Sequence, residues 1–468
     1  MEANINPPAR TQTSPLPVSP SAAASQPQLV RALTLWQSTA IVIGIMIGSA
    51  IFIVPAEITR ETGGEGAALA VWVVAGALSL FGALSFAELA AMLPQAGGQY
   101  VYLREAYGPL VSFLCGWVFF LAVQSGSISA VAVGFSQYLA DFLPLTPLEQ
   151  KLAASGAIVL LTAVNYRGVQ EGGAVQSILT GLKVGAMVTL VALGYILVKG
   201  PPAESAPVSR LATATGAAGY LASFGVAMVA ALWAYDGWNN VTFAAGEVKR
   251  PERNLPLALI FGTAAVVLIY LGLNLVYYHV LALNEIAGSP RVAADAAVRI
   301  FGHAGSHLVT LAIIIAMFGS VNGMVLAGAR IYYAMAQDGL FFRWCGAVHP
   351  RFRTPHLSLL FQAAWAILLV GVGRYDQLFT YVIFAAWVFY ALTALAVVIL
   401  RRTRPDLPRP YRVHGYPWVP VIFVLAAALF IANTLAQKPL EAGVGCLIVA
   451  LGIPVYFIWR RKPRAASD

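Results

Sequence analysis

The chain has 468 residues, of which 59% are hydrophobic and only 10% charged, and its mean hydropathy is +0.75. Soluble domains carry roughly 25% charged residues, so this composition excludes a water-soluble globular protein and points to an integral membrane protein of many spans. The net charge of +9 does not indicate nucleic acid, because the basic residues cluster in short loops between apolar runs.

Residues 1–30 are rich in Pro, Ser, Ala and Gln and lack the apolar core of a signal peptide, which predicts a disordered cytoplasmic tail. Twelve apolar runs of roughly 20 residues follow, each long enough to cross a bilayer. They centre near Gly44, Leu80, Val123, Leu160, Thr189, Ala230, Val267, Ile315, Ala366, Val388, Ala427 and Ala450. The third, fifth and eighth are long enough to tilt or to extend past the membrane. No connection is long enough for a separate soluble domain. The expected organisation is a tail at 1–30, a ten-helix core at 31–402, two accessory helices at 403–460 and a cytoplasmic tail at 461–468. With the N-terminus inside, 19 Lys and Arg fall on the inner side and 8 on the outer, leaving Lys183 and Arg330 within spans. This bias predicts that both termini are cytoplasmic.

The first run, Leu35 to Ala56, places Gly48, Ser49 and Ala50 together near its middle. Small residues there weaken a helix, and hydrocarbon offers no water to a freed N–H or C=O. One reading is a span broken near the midplane, with free N–H groups on one side and free C=O groups on the other, a place for a zwitterion. The other is a close helix–helix contact, since Gly44 and Gly48 form a small-xxx-small pair.

Lys183 lies near the middle of the fifth run, in Ser177–Gly185. It either snorkels to an interface or stands as a fixed cation inside the bundle, where a sodium-coupled transporter holds a metal ion. The sixth run is interrupted by Trp233-Ala234-Tyr235-Asp236-Gly237-Trp238-Asn239-Asn240, residues that form poor helix and are expensive in lipid. Asp236 is a counter-ion for Lys183, a proton site or a cap on the broken span. Trp233, beside the break, is packing or a lid over substrate. Interruptions at corresponding places in two halves point to a transporter midplane site made by inverted repeats, here spans one to five and six to ten.

Cys115, Cys345 and Cys446 are scattered, and no disulfide framework or metal site follows from them. His303 and His307, spaced i, i+4 without a nearby Glu or Cys, read as a solvated helix face. No cofactor is expected. An enzyme is disfavoured, because no span clusters metal ligands or pairs a nucleophile with a base.

Four stretches then carry a resemblance. Gly48-Ser49-Ala50-Ile51-Phe52 is similar to a Gly-Ser-Gly-Ile-Phe motif. Ser85-Phe86-Ala87-Glu88-Leu89 continues through Pro94, Gly97-Gly98-Gln99-Tyr100 and Glu105-Ala106-Tyr107-Gly108-Pro109. Tyr235 to Asn239 is followed by Glu247 and Pro251-Glu252-Arg253-Asn254-Leu255-Pro256. Phe318-Gly319-Ser320-Val321-Asn322-Gly323 is followed by His349-Pro350. Together they resemble the amino acid–polyamine–organocation superfamily, and most closely the L-type amino acid transporter family with its bacterial homologues.

The resemblance implies an all-α membrane protein of twelve transmembrane helices with a LeuT-like five-plus-five inverted repeat and broken first and sixth helices. It implies sodium-independent exchange of neutral L-amino acids. The substrate would lie against Met46, Ile47, Gly48, Ser49 and Ala50 of the first break and Trp233, Ala234, Tyr235, Asp236 and Gly237 of the second. Its carboxylate would take backbone N–H groups around Ser49 and Ala50, and its amino group carbonyls near Met46 and Trp233–Asp236. Trp233 would be the gate. Lys183 would replace sodium, with Ser320 and the carbonyls of Gly44 and Ile45 as partners. The chain departs from the family at Ala50 and at Asp236, where glycine is common. The loop from Asp141 to Lys151 has no cysteine, so no disulfide-linked heavy subunit is expected. Ala50 and Trp233 favour small side chains such as Ala, Ser or Thr. A proton-coupled symporter and a non-transporting sensor remain the alternatives.

Overall fold

A computed structural model describes residues 27–199, 216–372, 375–437 and 439–460. Of the expected tails at 1–30 and 461–468, residues 1–26 and 461–468 lie outside the described residues, as do Arg210, Arg374 and Lys438 of the outer-side charge count. The described chain is helical, with one isolated bridge between Leu33 and Val248.

In order the helices are α1 (Leu35–Met46), α2 (Ala50–Thr62), α3 (Glu65–Met92), α4 (Gln99–Tyr107), α5 (Pro109–Val118), α6 (Gln124–Leu139), α7 (Pro147–Arg167), α8 (Val169–Leu197) and α9 (Ala217–Ala234). They continue as α10 (Pro251–Val280), α11 (Leu283–Gly288), α12 (Val292–Phe301), α13 (His303–Gln337), α14 (His356–Val372), α15 (Tyr375–Thr403), α16 (Trp418–Gln437) and α17 (Pro439–Arg460). A π-turn at Phe119–Val123 joins α5 to α6, and a 3-10 segment at Trp238–Glu247 follows α9. Among the described residues, 8 helices are long and apolar enough to cross a membrane, and 9 when the bent pair α1–α2 counts as one. Helices α7, α9 and α14 stand at the three other predicted positions.

The first break is real. Helix α1 ends at Met46, Ile47 leaves helical geometry at ψ 85°, and α2 restarts at Ala50 after a bend of 45°. The second opens after Ala234, where Tyr235 takes ψ 0° and Gly237 takes φ 102°. Only glycine adopts that φ without strain. It also lets the breaks meet, since a Cβ on Gly237 would lie 2.6 Å from Ile45 Cγ2. The small-residue reading holds at Gly44, where a Cβ would strike Gln176 and Thr180 of α8, but not at Gly48, where the nearest atom would be 3.8 Å away.

Around these breaks α1 packs on α8, α10 and α13, and α2 packs on α9. One buried strap tethers the chain before α1. Ala32 and Leu33 N–H donate to the Glu247 carbonyl at 2.8 and 2.9 Å, and Lys249 N–H donates to Leu33 at 2.8 Å. Behind it the Glu247 carboxylate pairs with Arg330 of α13 at 2.6 and 3.0 Å, both side chains fully buried. Glu88, at the end of α3, likewise accepts from Arg401 at 2.8 and 2.6 Å. His303 and His307 are exposed on α13, as a solvated face requires.

Candidate functional site

A cavity of about 80 Å³ lies where the two breaks meet. From the first break it is lined by Ile45, Met46, Gly48, Ser49 and Ala50, and from the second by Trp233, Ala234, Asp236 and Gly237. The end of α1 brings carbonyls and a partial negative charge. The start of α2, where Ser49 makes no side-chain cap, brings free N–H groups and a partial positive charge. Opposite charges therefore face one small volume, which suits a zwitterion.

Two residues expected at this cavity do not line it. Ile47 has turned away, and its carbonyl serves Lys183. Tyr235 is fully buried behind the second break, its ring 5.7 Å from that of Trp72 and 5.1 Å from that of Tyr270. The Tyr270 hydroxyl reaches both breaks, at 2.8 Å from the Met46 carbonyl and 3.2 Å from that of Ala234. Two carbonyls expected to receive an amino group thus already have a tyrosine donor. Asp236 accepts from Tyr390 at 3.0 Å. No ion pair joins it to Lys183 among the described residues, so the counter-ion reading falls.

Lys183 does not snorkel; it is 1% exposed. Its ammonium donates to the carbonyls of Gly44 at 2.7 Å, Ile47 at 2.9 Å and Ala316 at 2.9 Å. Gly44 was expected there, but Ile45 is replaced by Ile47. Beyond Met46 the backbone leaves the helix, which turns the Ile47 carbonyl to the ammonium, while Ile45 lines the cavity. Ser320 lies beside Lys183 as a second donor to the same carbonyls, not as an acceptor for the ammonium. A buried ammonium persists only when its protons are bonded, and here all three are. The contact ties α1 to α13 through α8. Lower on the same face, Gln176 and Thr180 donate to the Ala40 carbonyl, and Asn322 donates to Gln176.

Sequence reasoning missed the rest of the lining. Phe119, Val123, Gln124, Ser127, Ala130 and Val131 come from the π-turn and α6, Met324 from α13, and Ala386, Trp387 and Tyr390 from α15, while Asn240 follows the second break. The polar run Gln124 to Ser127 inside an apolar span was the one signal available. The π-turn just before it shifts the helix register and marks functional positions in many proteins.

The family model described as amino acid permease matches residues 33–457. Among curated relatives, the serine/threonine exchanger SteT of Bacillus subtilis (strain 168) is 33% identical over 437 residues, covering 93% of this chain and 96% of its own. The b(0,+)-type amino acid transporter 1 of Mus musculus is 30% identical, covering 92% and 88%. The cystine/glutamate transporter of Homo sapiens is 30% identical, covering 93% and 87%.

Proposed function

The chain belongs to the amino acid permease family of integral membrane transporters, and from that premise we propose that it exchanges small neutral L-amino acids across the cytoplasmic membrane without sodium. The observation that carries this reading is the Lys183 ammonium on the carbonyls of Gly44, Ile47 and Ala316. A resident cation there does what a coupled metal ion does in a sodium-driven transporter, and it leaves no vacant carbonyl cage for one.

In this proposal the helices cross the membrane twelve times, with both termini inside and the first and sixth spans related by an inverted repeat. The substrate carboxylate takes N–H groups around Ser49 and Ala50, and its amino group takes α1 and α9 carbonyls beside Tyr270. Trp233 closes over it as the gate. Alternating access then moves the broken spans around a fixed site. The serine/threonine exchanger among the relatives supports a short side chain.

The test is uptake of labelled L-serine into liposomes containing the purified protein, with and without amino acid inside. Strong stimulation by internal serine, indifferent to a pH gradient, supports exchange. Uptake driven by the pH gradient into empty vesicles supports proton coupling instead, and binding without flux supports a sensor.

A further inference from the structure

We infer that Asn240 reads the side chain of the transported amino acid and selects a hydroxyl over a methyl group. This rests on the exchange of small neutral amino acids proposed above. Asn240 lies in the 3-10 segment, three residues past Gly237, and lines the cavity with Gln124, Ser127 and Tyr390. It is 6% exposed. Its amide nitrogen donates to the Gly237 carbonyl at 3.3 Å and to Asn239 Oδ1 at 3.4 Å. Its Oδ1 is buried and accepts no hydrogen bond among the described residues.

Three polar neighbours direct a proton elsewhere. Gln124 Nε2 donates to the Met324 carbonyl at 3.0 Å, the Ser127 hydroxyl to Val123 at 2.7 Å, and the Tyr390 hydroxyl to Asp236. Asn240 Oδ1 is thus an acceptor without a donor, and a substrate side chain that reaches it can supply one. A hydroxyl is a compact side-chain donor that an amino acid can bring. A substrate without it leaves Asn240 Oδ1 unpaired, and that asymmetry is how a site rejects an isostere.

Threonine and valine test this directly, because they differ by a hydroxyl for a methyl at nearly equal volume. Both are measured as labelled substrates of exchange in the same liposomes, so that differences in inserted protein cancel in the ratio. The wild type should favour threonine over valine in kcat/KM by roughly tenfold or more. Asn240→Leu should bring the ratio near one, chiefly by raising the KM for threonine. Asn240→Ser, which keeps an oxygen, should retain part of the preference. An unchanged ratio in Asn240→Leu overturns the inference, as does a wild type that does not distinguish the pair. If Asn240→Leu does not insert, Asn240→Ala decides in the same way. Failure of the wild type to exchange serine, threonine, alanine or valine would overturn the transport reading itself, a distinguishable result.

Discussion

Lys183 on α8 and Ser320 on α13 share their acceptors. The ammonium lies 2.7, 2.9 and 2.9 Å from the carbonyls of Gly44, Ile47 and Ala316, and the hydroxyl lies 2.9, 2.9 and 3.1 Å from the same three. Three protons satisfy three carbonyls at once, whereas one hydroxyl proton serves them singly. The lysine is therefore the principal donor and the serine a support. Ser320→Ala should lose about 1 kcal/mol or less at this junction. Its exchange rate per inserted molecule should stay within about tenfold of wild type. A complete loss of exchange in inserted Ser320→Ala would reverse the order of importance.

The Tyr270 side chain is hydrogen-bonded to both breaks. Tyr270→Phe keeps the ring and removes the proton that the Met46 and Ala234 carbonyls share, at a cost of about 1–3 kcal/mol. A lower melting temperature in detergent and several-fold slower exchange are expected. Wild-type behaviour in both measurements would mean that the bridge is idle.

Gly237→Ala combines a left-handed φ with a collision against Ile45. The backbone strain alone is of order 1–3 kcal/mol. Ile45→Ala removes the colliding methyl but not the strain. The double variant should thus lose less stability than the sum of the singles, a coupling measured by a double-mutant cycle. Strict additivity would show that the two breaks do not press on each other.

Arg330 and Glu247 form a fully buried pair between α13 and the end of the 3-10 segment, whose Glu247 carbonyl holds the strap before α1. Removing one partner leaves an uncompensated buried charge and should cost about 3–5 kcal/mol. Replacing both, as Glu247→Gln with Arg330→Met, should cost less than either single change. Thermal melting of the three variants checks the order.

Both breaks were legible in the sequence because Gly48, Ser49, Asp236 and Gly237 are costly in mid-membrane helix, and such residues announce themselves. Lys183 was legible for the same reason. Its second carbonyl was not: beyond Met46 the backbone leaves the helix, so a helical reading could not tell that Ile47, and not Ile45, would turn toward α8. Arg330 and Glu247 stand far apart in sequence, and their pairing depends on how the 3-10 segment ends against α13. The inward face of α6 was hidden by the π-turn, which alters the register that helical periodicity assumes. Asn240 looked like part of a break and gave no sign that its amide oxygen would be left without a donor.

The most direct measurement is serine exchange by wild type and Lys183→Ala in liposomes, each with sodium and with choline replacing it, normalised to inserted protein. Lys183 supplies three charge-assisted hydrogen bonds, each worth roughly 1.5–3 kcal/mol. Its removal should lower exchange by well over about tenfold, and sodium should make no difference to the wild type. Near-normal exchange by Lys183→Ala, or a wild type that needs sodium, would contradict the role assigned to this lysine.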